Sequence, residues 1–237
     1  MDPDGGNVRK LTHGGSTHPT FSPDGTKIAF TRGHVVYVMN ADGGEPKQLN
    51  PDPEPTAPVS SIVTPYGAIA LPAPAFPVAN PDVDGSTDRP AFSPDGSKIL
   101  FVTSGRIWVM ASDGTGARPL LPDDPNANLA PVFTRDGAGI VFASYRAHNG
   151  RSGIYLMDVD GHNIRLLNDD AAYPSFSPDG TKIIYTRVTH DPASDQRATF
   201  GELWVMNSDA SNPHRLADPK QSVQYAVCGS WGRETDA

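Results

Sequence analysis

The chain holds a single cysteine, Cys228, among its 237 residues. That excludes an internal disulfide framework and a cysteine-rich metal site. No apolar run approaches the ~18 residues that mark a membrane-crossing helix, and no charged-then-apolar leader of the signal-peptide kind is read at its start. Charge is scarce at 19%, with 19 Lys+Arg against 27 Asp+Glu and a formal net charge of −8. A surface short of cations argues against nucleic-acid or anionic-membrane partners, which are held by basic groups that release counterions. Glycine and proline, by contrast, are abundant, 23 and 24 residues. They cost roughly 1 and 3 kcal/mol in a helix interior, so long helices and coiled coils are excluded too. The size suits one domain over residues 1–237.

Much of that glycine and proline punctuates a repeat. Four segments share a template: Phe21-Ser22-Pro23-Asp24-Gly25, Phe92-Ser93-Pro94-Asp95-Gly96, Phe133-Thr134-Arg135-Asp136-Gly137 and Phe176-Ser177-Pro178-Asp179-Gly180. Each leads into an aromatic-aliphatic-Met run ending at Met39, Met110, Met157 or Met206, then an Asp turn and a closing leucine, Leu49, Leu120, Leu166 or Leu216. A run ending in Phe reads as a strand. Ser-Pro-Asp-Gly reads as a type I turn, with proline's fixed φ second and glycine where φ is positive. The β-branched and aromatic runs that follow read as two more strands, and a short fourth precedes the leucine. Four antiparallel strands in about 40 residues make a propeller blade.

The spacing predicts a six-bladed all-β propeller. Phe21 to Phe92 is 71 residues, against 41 and 43 for the next two intervals. Within the long interval, Val63-Thr64-Pro65-Tyr66-Gly67 matches the template with one deletion, so residues 57–87 read as a degenerate, proline-rich blade; a long loop is the alternative. The sixth is a closing blade shared by the termini. Met1 occupies the repeat's methionine slot and Arg9-Lys10-Leu11 reads as an outermost strand, while Tyr225 to Gly232 resembles a first strand and turn. Such closure hides two strand edges. It leaves that blade three-stranded, or the chain is cut from a longer protein.

These motifs resemble the TolB-type, WD-repeat-like β-propeller family, from Met1 to about Trp231 and most weakly over 51–87. The resemblance implies a periplasmic or other extracytoplasmic setting and a module that engages lipoprotein or colicin-like protein partners. Similar blades occur in propeller domains of prolyl-oligopeptidase-type peptidases and in oligogalacturonate lyases. The motif marks the fold far more sharply than any activity.

Strand direction puts the short Asp-Gly turns on one face. The joins between second and third strands and between blades lie on the other, with the insertions Tyr145 to Ser152, Arg187 to Phe200 and Asn50 to Ala57. Insertions on one face of a repeat protein mark a binding face. Arg32, Arg146 and Arg187 fall in or beside those joins with His148 and His190, and His18, Arg89, Tyr173 and Gln224 should rim the central channel. Together they suggest a mildly basic funnel on an acidic molecule, suited to a carboxylate-bearing ligand or an acidic peptide. A plainer reading has each arginine pack over aromatics or pair with a neighbouring Asp. No His-Glu-x-x-His, phosphate-binding glycine loop or Gly-x-Ser-x-Gly elbow occurs. The Asp-x-Asp-Gly fragments lack the later ligands of a calcium loop. The expectation is therefore a non-catalytic binding module for a protein segment or small acidic ligand, with no metal and no cofactor. The alternatives are a polysaccharide lyase using the funnel's His18, His148 and His190, or the gating propeller of a peptidase.

Overall fold

The computed structural model describes residues 6–33, 35–49, 61–64, 67–70, 88–146, 152–190 and 199–216. Within them the Ser-Pro-Asp-Gly turn, with Thr134-Arg135-Asp136-Gly137 as its counterpart, joins the first and second strands of each four-stranded sheet. The Gly25 amide donates to the Ser22 carbonyl at 2.9 Å, and Gly25 takes φ +71°. The Ser22 hydroxyl donates to Asp24 Oδ1 at 2.6 Å and accepts from the Lys27 amide at 2.9 Å. Asp24 also accepts the Thr26 amide at 3.0 Å. Side chain and backbone thus satisfy the turn's own polar groups, an arrangement repeated at Ser93, Thr134 and Ser177.

Four four-stranded antiparallel sheets result. The first blade is β1 (Ser16–Phe21), β2 (Lys27–Arg32), β3 (Val35–Asn40) and β4 (Lys47–Gln48). A two-stranded hairpin, β5 (Ser61–Thr64) and β6 (Gly67–Ala70), follows. The second blade is β7 (Asp88–Phe92), β8 (Lys98–Thr103), β9 (Arg106–Ala111) and β10 (Arg118–Pro119). The third is β11 (Asn128–Phe133), β12 (Gly139–Ser144), β13 (Gly153–Asp158) and β14 (Arg165–Asn168). The fourth is β15 (Ala171–Phe176), β16 (Lys182–His190), β17 (Thr199–Asn207) and β18 (His214–Arg215). The first strand of each blade lies against its neighbours' first strands, β1 on β7, β7 on β11 and β11 on β15, so these four line the axis. No helix among the described residues is long and apolar enough to cross a membrane.

The core lies between blades. Phe92 packs on Ala29, Val36 and Leu49 of the first blade, Phe133 on Leu100, Val109 and Leu120 of the second, and Phe176 on Val141 and Ile154 of the third. Burying such side chains contributes roughly 1.5–3 kcal/mol each. The closing leucine of one blade meets the Asp-Gly turn of the next. A Cβ on Gly114 would stand 2.6 Å from the Leu49 carbonyl oxygen, and one on Gly161 2.7 Å from that of Leu120.

These contacts correct the blade count. The described residues form four complete blades, not six. The first and second touch through the same Leu49–Gly114 contact that joins the second and third through Leu120–Gly161, so no space is left between them for a blade. Of the segment 57–87, the described residues 61–64 and 67–70 form a two-stranded hairpin and not a four-stranded blade. The closing blade falls largely on residues 1–5 and 217–237, outside the described residues, together with Cys228. Arg9, Lys10 and Leu11 form no strand, yet Leu11 sits where a closing leucine belongs, 3.0 Å from the Cβ position of Gly43. Leu167, not Leu166, is the third blade's closing leucine: Tyr155 pairs with Leu166 as Tyr37 pairs with Gln48, so the residue after it is the counterpart of Leu49, and Leu166 is 51% exposed.

Candidate functional site

A second shared irregularity decides which side chains face the axis. In every inner strand the pairing slips, between Thr17 and Thr20, Asp88 and Ala91, Leu129 and Val132, and Ala172 and Ser175. One residue of each bulge takes a left-handed backbone: His18 (φ 51°), Arg89 (39°), Ala130 (47°) and Tyr173 (56°). A proline follows each one, Pro19, Pro90, Pro131 and Pro174. Proline cannot donate to a ladder, and a bulge is where a strand tolerates it. A left-handed backbone costs roughly 1–2 kcal/mol in residues with a Cβ. Four such residues at one position therefore belong to the frame and not to chance.

These bulges wall an open cavity of about 400 Å³ at the axis, lined by His18, Arg89, Ala130, the four prolines and their neighbours, with no Asp or Glu among its described lining residues. The Arg89 guanidinium lies 4.4 Å from the centre of the Tyr173 ring, although β7 and β15 are separated by β11. Ala130 is the residue on β11 at that level, and its small side chain leaves room for the contact. A cation over an aromatic face is held by the ring quadrupole while its N–H edge still lies in the plane that carboxylates approach.

The arginines after the second strands stand one level nearer the strand starts. Arg32 pairs with Ser16, and Arg187 with Ala171. Arg32 lies 5.1 Å over Tyr37 and 5.8 Å over Phe30, and Arg187 lies 4.8 Å over Trp204. Among the described residues neither pairs with a carboxylate. Arg146 also stacks, on Phe142 and Tyr155 at 5.2 and 5.1 Å, but its donors are committed. It holds Asp124 at 2.7 Å, Asn128 Oδ1 at 3.2 Å and Ser144 Oγ at 3.1 Å. Burial pushes the Asp124 carboxyl up, but hydrogen bonds from Asn128 and Asn126, with the Arg146 charge, outweigh it and hold it below its ordinary value. The second blade has Thr103 where Arg32 and Arg187 stand; the Thr103 hydroxyl and the Trp108 indole N–H are buried with no hydrogen-bond partner among the described residues.

Of the nine expected site residues, His18, Arg89 and Tyr173 meet at the axis, and Arg32 and Arg187 lie at the same end. Arg146 is locked into a blade-joining network. His148 and Gln224 lie outside the described residues, as does the side chain of His190, whose backbone pairs with Thr199 at the end of β16 and β17. Ala130 and the proline ring were not anticipated. Their signal is a proline two residues before each template Phe, preceded by the bulge residue, as in His18-Pro19-Thr20-Phe21 and Tyr173-Pro174-Ser175-Phe176.

The opposite face carries the turn carboxylates. The Ser93 hydroxyl, with the Ser97 amide and hydroxyl, holds Asp95 down to about 2. Ser177 and Thr181 do the same for Asp179, also to about 2, and Asp24 and Asp136 are lowered by matching bonds led by Ser22 and Thr134. Asp158 and Asp160 bond Asn163 and the His162 amide, as turn residues do. Among the described residues no three His, Cys, Asp or Glu side chains are placed to hold a metal ion.

Comparison with known proteins agrees with this architecture. A tricorn protease homolog of Streptomyces coelicolor is 29% identical over 245 residues, matching 84% of this chain and 19% of that protein. The chain thus spans about a fifth of that relative's length. An uncharacterized protein of Agrobacterium fabrum is 26% identical over 200 residues, covering 70% of this chain and 68% of its own. Among solved structures, TolB from Acinetobacter baumannii superposes with a TM-score of 0.62 at 19% identity, over 91% of this chain and 47% of that one. A chain of a nidogen/laminin complex gives 0.54 at 16% identity, over 82% and 62%. The profile of the TolB beta propeller domain matches residues 78–218, well over half of the sequence, and the chain belongs to that family.

Proposed function

We propose that the chain is a non-catalytic binding module, one propeller domain over residues 1–237, that takes an acidic group of a protein segment or small ligand at the channel mouth. Arg89, braced on Tyr173, meets the carboxylate, and His18 stands beside it. Arg32 and Arg187 supply the outer rim, to which His148 and His190 belong by their place in the repeat, while Gln224 belongs by its place to the channel positions of His18, Arg89 and Tyr173; Arg146 acts at the rim through the frame. The observation that carries this reading is the Arg89–Tyr173 stack beside a cavity whose described lining residues include no Asp or Glu. Titrating a peptide with a free C-terminal carboxylate, against the same peptide amidated, tests it by calorimetry. Binding of the free acid should weaken at least tenfold in Arg89→Met and Tyr173→Leu. Equal affinity for the two peptides, or no loss in either variant, would overturn the site.

The names of two relatives support a second reading. The tricorn protease homolog and an uncharacterized peptidase of Bacillus subtilis are both far longer than this chain, so the propeller could serve as the substrate-admitting part of a peptidase. The same peptides, presented to the propeller joined to its peptidase, would then be cleaved, with the Arg89→Met variant slower.

A further inference from the structure

We infer that the joint between the second and third blades holds a seat for a phosphate monoester, in which Lys98 and Arg118 take the phosphate and the apolar wall of the joint takes its carrier. The repeat shows what these two cations lack. In the first blade the lysine that opens the second strand faces an asparagine across the ladder. Lys27 pairs with Asn40, and its ammonium donates to Asn40 Oδ1 at 2.6 Å. The fourth blade repeats this, with Lys182 opposite Asn207 and donating to it at 3.4 Å. In the second blade the residue opposite Lys98 is Ala111, whose side chain offers no acceptor. The base two residues before a closing leucine is claimed elsewhere too. Lys47 donates to the Asp113 carbonyl at 3.0 Å, and Arg9, two residues before Leu11, to the Asp42 carbonyl at 2.6 Å. Arg118 holds that place before Leu120, and the Leu120 carbonyl still meets Gly161. Yet neither Arg118 nor Lys98 has a side-chain hydrogen bond or an ion pair among the described residues.

The ladder brings the two cations together. β9 lies between β8 and β10, with Lys98 opposite Ala111 and Arg118 opposite Val109. Residues two apart on a strand share a face, so both cations rise from the face that Val109 turns to the third blade. There they line one cavity of about 350 Å³, with Val109 and Val159 as apolar wall, Ser97 and Thr115 beside them, and no Asp or Glu among its described lining residues. The nearby carboxylates are engaged by their own turns, Asp95 by Ser93 and Ser97 and Asp113 by Thr115. Those bonds also take the hydroxyl hydrogens of Ser97 and Thr115, so a guest's charge is met by the two cations. Nothing lies within 4 Å of the Gly116 Cβ position at the edge of the cavity, which leaves a way in. Two cations flanking one strand match the charge of a phosphate monoester, about −1.5 to −2 at pH 7. Its oxygens can be shared between a guanidinium fork and an ammonium, whereas a carboxylate's single charge is satisfied by Arg118 alone. Val109 and Val159 favour an aromatic or aliphatic ester over inorganic phosphate. The seat lies on the turn face, opposite the channel mouth, and does not rest on the reading proposed for Arg89.

Phenyl phosphate titrated into the nitrogen-15-labelled full chain, followed by NMR, tests the seat. The amides of Ala111, Gly116 and Val159 should shift together and saturate. Lys98→Gln and Arg118→Gln should each weaken binding about fivefold or more. Ala111→Asn, which supplies the acceptor that claims Lys27 and Lys182, should weaken it too, whereas Lys27→Gln should leave it unchanged. Inorganic phosphate should bind several-fold more weakly than phenyl phosphate, and benzoate more weakly still. Shifts that do not saturate at those amides, or binding that survives both Lys98→Gln and Arg118→Gln, would overturn the seat. Equal affinity for inorganic and phenyl phosphate would overturn the part given to the apolar wall, and tighter binding of benzoate would overturn the choice of phosphate.

Discussion

Arg146 shows how one side chain can look like a ligand contact and serve the frame. Its guanidinium stacks on two rings and bonds Asp124, Asn128 and Ser144 at once, tying the join after β10 to the end of β12. Replacing it with Met would keep much of the stacking but strand a largely buried carboxylate, at a cost of about 2 kcal/mol in urea unfolding. Because the Asp124 carboxyl is lowered in the fold, its contribution is complete above the ordinary carboxylate range and is lost as pH falls through the lower folded value. An unfolding series should therefore show the gap between parent and Arg146→Met narrowing as the pH is taken down from 5. A gap that stayed constant would mean that Asp124 does not sense Arg146. Arg32 and Arg187, whose place in the repeat is that of Ser144, stack on the equivalent rings without a carboxylate partner among the described residues, and Arg32 donates only to Ser16 Oγ at 3.4 Å.

At the scale of the turn, serine, aspartate and glycine act as one unit. Carbon-detected NMR should find the Asp95 and Asp179 carboxyls titrating near 2, and Ser93→Ala should move Asp95 up toward the usual carboxylate range while leaving Asp179 in place. The turns' contribution should hold above pH 4 and drain away only as these groups protonate near 2. This unit was wholly legible in the sequence, since Ser-Pro-Asp-Gly carries its hydrogen-bonding partners within six residues. The bulges were harder to read. A slipped register is a relation between two strands, visible only as a proline where a central strand should have none, and Ala130 carries no chemical signal by itself. Leu167, by contrast, is told from Leu166 by spacing alone, since it follows Gly161 as Leu49 follows Gly43 and Leu120 follows Gly114. The stretch 57–87 matched the template residue by residue. What rules it out as a blade is that Leu49 already holds Gly114, a contact between positions far apart in sequence.

Across the whole molecule, stability rests on joints between blades. Gly114 takes φ +92° with the Leu49 carbonyl 2.6 Å from any Cβ, while nearby Gly116, at φ +64°, has nothing within 4 Å. Gly116→Ala should cost about 1 kcal/mol from backbone strain alone. Gly114→Ala adds a clash that pushes two blades apart and should cost about 3 kcal/mol or more. Chemical denaturation of the pair measures the joint apart from the turn, and equal costs would show that the blades are not held there. Charge also divides at this scale. Asp24, Asp95, Asp136 and Asp179 occupy the turn face, while Asp123, Asp124, Asp169 and Asp170 stand in the joins at the end where Arg32, Arg146 and Arg187 lie, so that end carries both signs.

The repeated inner-strand bulge has a consequence for how such a ring changes its ligand. His18, Arg89, Ala130 and Tyr173 are carried on the same backbone device, so the frame does not depend on which side chain stands at each. The four positions work like the wheels of a combination lock. Exchanging their occupants would rewrite the pattern of charge and ring faces around the axis, and with it the guest that the proposed site would admit, while the housing that turns them stays the same.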